Sequence, residues 1–440
     1  MDMISGNVRR IYFKYLTAAF GSALISSIYG IVDMAMVGQY QGPNGTAALA
    51  VVAPIWNVIY SLGLLTGIGG SVLLGSAKGK GETKEQNEYF SAALIGTIIL
   101  AVICWGTVLL FDTEMLTLFG AEETLLPLAK EYLVPIKFVI PAFLFNQMLA
   151  AFLRNDDAPG LATAAVLAGG IFNIFGDYFF VFTLDMGMRG AGLATAIGAV
   201  ITCAVMLSHF FKHKNNLRFI FPSLFFEKTW KILVVGFSTF FIDVAMGFLT
   251  MIFNRQIVRY FGTDALSVYG VIVNVSTIVQ CCAYSVGQAA QPILSVNYGS
   301  HNWDRIRGTL RYALYTVAFF SVAWTISIWV VPNGFIRVFM APTESVCRIA
   351  PSIMRSYGIS FLLLPLNVFS TYYFQSLMKP GVSFLVSVAR GMVVSGILIY
   401  ALPALAGAGF IWFAMPITEL LVAIAVIIFM IRYTAKCLEL

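Results

Sequence analysis

Apolar residues gather along this 440-residue chain into twelve runs, at about 12–38, 46–76, 90–111, 129–152, 160–183, 190–211, 232–258, 265–296, 309–331, 350–376, 383–403 and 409–431. Each is long enough for an α-helix to cross a bilayer core, which takes about 20 apolar residues. Turn-forming clusters such as Gln41-Gly42-Pro43-Asn44-Gly45 and Lys379-Pro380-Gly381 separate the runs. The alternating ten-residue segments of a transmembrane barrel do not recur. Open strands would leave unpaired backbone groups in lipid. The pattern predicts an all-α polytopic membrane protein with twelve transmembrane helices.

The runs also repeat. Gly79-Lys80-Gly81 through Ala92-Ala93-Leu94 parallels Gly299-Ser300-His301 through Tyr312-Ala313-Leu314, 220 residues later. Leu118-Phe119 and Val338-Phe339 keep that spacing. Ala158-Pro159-Gly160 matches Lys379-Pro380-Gly381 at 221, and Gly190-Ala191-Gly192 matches Gly407-Ala408-Gly409 at 217. A near-constant offset implies two six-helix lobes in the same orientation, residues 1–212 and 230–440. Residues 213–229 form a cytoplasmic linker between them. Parallel repeats are related by a pseudo-two-fold axis along the membrane normal, with a cavity between the lobes. That is the architecture of an alternating-access transporter, and no filter-like segment of a channel is visible.

Composition narrows the class further. Only 11% of residues are charged, against about 25% in a soluble domain. Hydrophobic residues make up 59%, and the mean hydropathy is +0.85. These values exclude a disordered chain and a nucleic-acid partner, and they argue against a soluble enzyme. The net charge of +6 matters through its placement. With both termini in the cytoplasm, eighteen Lys and Arg, among them Lys80, Lys214 and Arg218, fall on the cytoplasmic side. Eight fall on the external side, and Arg390 lies within a span. Lys and Arg accumulate in cytoplasmic loops, so this asymmetry supports the orientation. The N-terminal apolar stretch lacks a small-residue cleavage site and reads as a retained first span.

Soluble-enzyme chemistry has little to work with. The six cysteines, Cys104, Cys203, Cys281, Cys282, Cys347 and Cys437, form no CxxC pair, so neither a disulfide nor a metal site is expected. His209, His213 and His301 lie at cytoplasmic ends, with no acid or cysteine paired to them in the sequence. Arg154, Asp156 and Asp157 read as solvated loop charges. No catalytic triad, zinc spacing or nucleotide phosphate-binding loop is present, so no enzyme activity and no cofactor are expected.

Charged residues inside spans are costly and mark function by default. Asp33, Asp177, Asp243, Arg390 and Glu419 are such residues. Asp33 falls in the outer half of the first span and Asp177 in the outer half of the fifth. Asn173 precedes Asp177 by one helical turn on the same face. Thr195 lies at the same depth in the sixth span. Two carboxylates, an amide oxygen and a hydroxyl form a donor set for a hard cation such as Na+. The same pair could share a proton, because two close carboxylates do not both ionise cheaply. Interhelical hydrogen bonding is the plain structural alternative. Asp243, Arg390 and Glu419 belong to the second lobe, where Arg390 could simply neutralise one of the acids.

These residues resemble a family. Ile31-Val32-Asp33-Met34-Ala35-Met36-Val37-Gly38 followed by Ala47-Ala48-Leu49-Ala50 is similar to the opening of the multidrug and toxic compound extrusion (MATE) family. Gln288-Ala289-Ala290-Gln291-Pro292-Ile293 before Asn297-Tyr298-Gly299 resembles its eighth-helix signature. Asn173 with Asp177, then Gly190-Ala191-Gly192-Leu193-Ala194-Thr195, fits its fifth and sixth helices. The resemblance covers nearly the whole chain and is nearest the bacterial DinF/MepA-like branches. It implies secondary active efflux of amphipathic, cationic organic compounds in exchange for Na+ or H+, by a monomer in the bacterial inner membrane, in contact with its lipids. It also implies a coupling-cation site of Asp33, Asn173, Asp177, the carbonyl of Ala191, and Thr195. Some members carry a carboxylate pair on the seventh and tenth helices instead. Here the seventh has Asp243 but the tenth offers only the neutral Asn367, which favours the first lobe. A lipid-linked oligosaccharide flippase of the same superfamily is the alternative, and it would want a basic cavity.

Overall fold

The structure, a computed structural model, describes residues 3–213, 215–340 and 342–436. Lys214 and Cys437 lie outside the described residues. The chain is helical, and no strand occurs among the described residues. The first half contains α1 (Val8–Gln41), α2 (Pro43–Lys80), α3 (Thr83–Leu118), α4 (Leu126–Lys137), α5 (Ile140–Asn155), α6 (Pro159–Asp177) and α7 (Gly187–Leu207). The second continues with α8 (Phe225–Gly299), α9 (Trp303–Val330), α10 (Pro332–Phe339), α11 (Glu344–Gly358), α12 (Leu364–Ser376), α13 (Pro380–Val388), α14 (Val394–Ala406) and α15 (Ala414–Lys436).

Among the described residues, ten helical stretches are long and apolar enough to cross a membrane. One of them, α8, has 75 residues and would measure about 110 Å if straight, several bilayer cores long. It breaks at Gly262, where φ is 77° and ψ is −164°. A side chain rarely tolerates that backbone, so glycine turns the chain and α8 supplies two spans. Helices α4 and α5 meet at a 60° bend and supply one more. The total is the expected twelve, but the single run expected at 129–152 is a broken helix. The backbone leaves helical geometry at Val139 (φ −119°, ψ 9°), and Pro141, in the first turn of α5, has no N–H to continue the preceding helix.

The internal repeat is written in the backbone. Left-handed φ occurs at Gly42 and Gly262, at Gly81 and His301, and at Gly187 and Gly407, each pair 220 residues apart. Asp157 and Met378 make a further pair at 221. The kink inside α3 at Phe111 and the break after Val331 also differ by 220. The Gly187–Gly407 pair places the glycine landmark three residues from the 217 spacing read in the sequence.

Two compact units emerge, one of Thr17–Phe240 and one of the residues up to Leu16 together with those from Phe241 onward. Residues 215–223, within the expected linker, form an extended strap on the first unit. Its backbone N–H groups at Arg218 and Ile220 donate to Asn87 Oδ1 at 2.8 Å and Ser91 Oγ at 2.9 Å. Ser223 donates to Glu88 through both N–H and hydroxyl. Asp156 accepts from the Asn216 backbone at 3.1 Å and its side chain at 2.8 Å, and lies 2.6 Å from His209 Nε2. Two expectations therefore fail. Asp156 and Arg154 are buried rather than solvated, and His209 has an acid beside it. The strap explains the first: buried N–H groups need acceptors, and Asp156 serves them. Asp157 is ion-paired with Lys78 at 3.1 Å.

Candidate ion and substrate sites

The first unit gathers its polar residues by close helix packing. A Cβ on Gly192 would lie 2.1 Å from the Tyr132 carbonyl oxygen, so glycine alone lets α7 touch α4 there. Gly169 likewise meets the Gly198 carbonyl, joining α6 to α7. Small residues at such crossings are how membrane helices approach one another without a hydrophobic drive.

That packing brings Asp33 of α1, Tyr132 of α4, Asn173 and Asp177 of α6, and Thr195 of α7 into one buried cluster. The Tyr132 hydroxyl donates to Asp33 Oδ2 at 2.9 Å and lies within reach of Thr195. Asn173 Nδ2 donates to Thr195 Oγ1 at 3.1 Å. Asp177 lies one helical turn beyond Asn173 on the same face of α6. Ala191 is fully buried one turn before Thr195 on α7. Asp33 Oδ1, Asn173 Oδ1 and both oxygens of Asp177 are buried without a hydrogen-bond partner among the described residues. A buried polar atom without a partner costs roughly 1–3 kcal/mol, and more if charged. Four such oxygens in one cluster form a surface that a cation or a proton would satisfy. Immediately after Asp177 the helix widens into a π-turn, Tyr178–Thr183, a distortion frequent at functional sites.

The second unit is arranged differently. Arg390 Nε donates to Glu419 Oε1 at 2.7 Å, and Asn367 Nδ2 donates to Glu419 Oε2 at 2.6 Å. All three are buried. Arg390 sits in a second π-turn, Ala389–Val393. Asp243 stands apart from this triad, accepts from the Tyr284 hydroxyl at 2.9 Å, and keeps Oδ2 unpartnered. A narrow cavity of about 30 Å³ in this unit is lined by Ile242, Met246, Tyr269, Gln280, Tyr357 and Arg390, among others.

The residues singled out from the sequence thus fall into three groups: the first-unit cluster, the Arg390–Glu419–Asn367 triad, and Asp243. Sequence reasoning missed Tyr132 and Tyr284, each the hydroxyl partner of an aspartate. Tyr132 follows Lys130 and Glu131, so in sequence it looks like an interfacial tyrosine at a span end. The α4–α5 break places it beside Asp33 instead. Among the described residues no group of three or more His, Cys, Asp or Glu could hold a metal ion.

Twelve apolar helices, a two-fold repeat and a buried, underpartnered carboxylate pair define a membrane transporter rather than an enzyme. The family model described as MatE matches the chain twice, over residues 18–179 and 239–401, with starts 221 residues apart. The chain belongs to the MatE family. Multidrug export protein MepA from Staphylococcus aureus (strain MRSA252) is 23% identical over 416 residues, 93% of this chain and 91% of that protein. MepA from Staphylococcus saprophyticus is 23% identical over 417 residues, 93% of this chain and 91% of that protein. A solved structure described as an outward-facing multidrug resistance MATE family transporter of the MOP superfamily superposes with a TM-score of 0.92 at 19% identity, covering 100% of this chain and 98% of that one. A MOP superfamily transporter from Pyrococcus furiosus gives 0.90 at 19% identity, covering 99% and 98%. At these identities the structural likeness speaks for the fold.

Proposed function

We propose that this protein is a multidrug efflux antiporter that exports amphipathic, cationic organic compounds in exchange for Na+ or H+. The observation that carries the reading is the set of four buried, unpartnered oxygens on Asp33, Asn173 and Asp177. An intramembrane carboxylate costs about 2.5–3.5 kcal/mol to insert, and two at one depth need a return in function. The coupling cation is a substrate here. Asp33, Asp177, Asn173, Thr195 and the Ala191 carbonyl supply oxygen ligands for Na+, or the two aspartates share a proton. In the second lobe, the organic cation meets Asp243 and the aromatic side chains of Tyr269 and Tyr357, suited to cation–π contact, once alternating access widens the narrow cavity they border.

Alternating access would use residues 1–212 and 230–440 as its two lobes and 213–229 as their connection, in a monomer of the bacterial inner membrane with both termini cytoplasmic. The names of the Staphylococcus relatives support multidrug export as the activity. A flippase of lipid-linked oligosaccharides would draw on Arg390, yet Glu419 already takes that charge, which favours the antiporter.

Fluxes of H+ and Na+ in proteoliposomes, with and without a cationic dye substrate, test the proposal. Dye movement driven by an imposed Na+ or H+ gradient supports it. Dye movement that ignores both gradients overturns it.

A further inference from the structure

The first unit has a second cavity, remote in chain position from the carboxylates. A space of about 410 Å³ opens between α3, α5, α7 and the strap, and its walls include Phe90, Leu94, Leu149, Cys203, Leu217 and Phe219. Those walls are almost wholly apolar. The volume lies within the range of small-molecule sites, about 300–1,000 Å³. The cavity sits where α3 begins and α7 ends, the cytoplasmic side by the charge asymmetry.

The strap shows what approaches this opening. Leu217, Phe219 and Phe221 alternate along it, and Phe211, Phe221 and Phe226 are 91%, 77% and 85% exposed. Phenylalanines so exposed at a helix-bundle rim belong at the boundary of headgroups and acyl chains. Arg218 stands on the strap between Leu217 and Phe219, two of the residues that wall the hollow. Arg218 and Lys212 are both exposed. Among the nearby acids, Glu88 and Glu85 lie 3.1 Å and 4.0 Å from Lys228, and Glu227 lies 2.6 Å from Lys231. Lys212 and Arg218 thus add exposed positive charge to the strap that borders an apolar hollow. Basic pockets between transmembrane helices on the cytoplasmic side suit anionic lipid headgroups.

We propose that this hollow is a binding site for one anionic phospholipid of the cytoplasmic leaflet. An acyl chain fills the space walled by Phe90, Leu149 and Cys203, and the phosphate lies against Arg218 and Lys212. Only the orientation of the helices is borrowed from the proposed function, so lipid binding can be tested without any transport measurement.

The test is native mass spectrometry of the full-length protein released from nanodiscs of phosphatidylcholine with or without phosphatidylglycerol. One retained phosphatidylglycerol per protein is expected. It should vanish when Cys203→Trp fills the hollow, and affinity should fall about fivefold in Arg218→Gln, since each basic residue near the surface contributes about 1 kcal/mol, a factor of about five. Leu94→Trp fills the same space from α3 and replaces Cys203→Trp should that variant misfold. Undiminished retention in a folded filled variant overturns the proposal, as does equal retention of phosphatidylcholine. Displacement of the lipid by a cationic dye would assign the hollow to a drug path and overturns it too.

Discussion

The Tyr132 hydroxyl donates to Asp33 Oδ2 at 2.9 Å and leaves Asp33 Oδ1 buried and unpartnered. One oxygen of the carboxylate is thus fixed by the protein while the other stays available. Tyr132 also reaches Thr195, so one hydroxyl links α1, α4 and α7. Second partners of this kind set the geometry and basicity of an ion ligand.

Tyr132→Phe should keep the fold and weaken ion coupling. A hydrogen bond to a charged group contributes about 1.5–3 kcal/mol, which predicts a change of roughly tenfold or more in the half-saturating concentration of the coupling ion. Ion-dependence curves for transport in proteoliposomes measure it. A wild-type curve in the Phe variant would show that the hydroxyl only packs.

Neutralising the carboxylates should reveal whether they act as one. If Asp33 and Asp177 hold a single ion, Asp33→Asn and Asp177→Asn should each abolish ion-driven efflux. The double variant should then be little worse than either, because groups working as a unit are strongly non-additive. Asp243→Asn, in a different helix environment, should lower transport only in part and combine independently with an Asp33 defect. Initial efflux rates of the four variants decide this. Mild, additive first-unit effects beside a complete loss in Asp243→Asn would move coupling to the second unit.

The spans were legible because a bilayer imposes a length and a polarity on every crossing, and all twelve runs are present as helix. The 220-residue repeat was legible because turns need particular residues: Gly42 and Gly262 both hold left-handed backbone. The α4–α5 bend was not read, although Pro141 was in plain view, because hydropathy is indifferent to direction. Burial of Asp156 and its contact with His209 were hidden for another reason. They depend on a strap returning from sixty residues away, and no local pattern encodes that return. Asp33, Asn173, Asp177 and Thr195 were legible by depth alone. Their mutual geometry required the glycine contacts of α7.

Orientation has its own test. The basic asymmetry predicts that Lys80, at the end of α2, faces the cytoplasm and that Glu122, between α3 and α4, faces outward. In a protein without its native cysteines, Glu122→Cys should react with an impermeant maleimide on intact cells. Lys80→Cys should react only after permeabilisation. The reverse labelling would invert the topology, and with it the leaflet assigned to the apolar hollow.

The Arg390–Glu419 pair offers a separation of stability from transport. Its 2.7 Å hydrogen bond is buried, and Asn367 occupies the other carboxylate oxygen. Breaking a buried pair from one side strands a charge and costs about 3–5 kcal/mol, whereas replacing both partners by apolar groups of similar size is often neutral. Arg390→Met should therefore lower the unfolding temperature in detergent markedly, and Glu419→Leu should do so nearly as much. The double variant should recover most of the loss. If the pair is purely structural, the recovered protein will also transport. If Arg390 meets substrate from its place on the cavity wall, the double variant will be stable and still defective, with the defect in the apparent affinity for the organic cation rather than in ion dependence. Melting curves and substrate saturation curves on the same four proteins distinguish these outcomes. A double variant as unstable as either single one would show that the two residues are not coupled through each other.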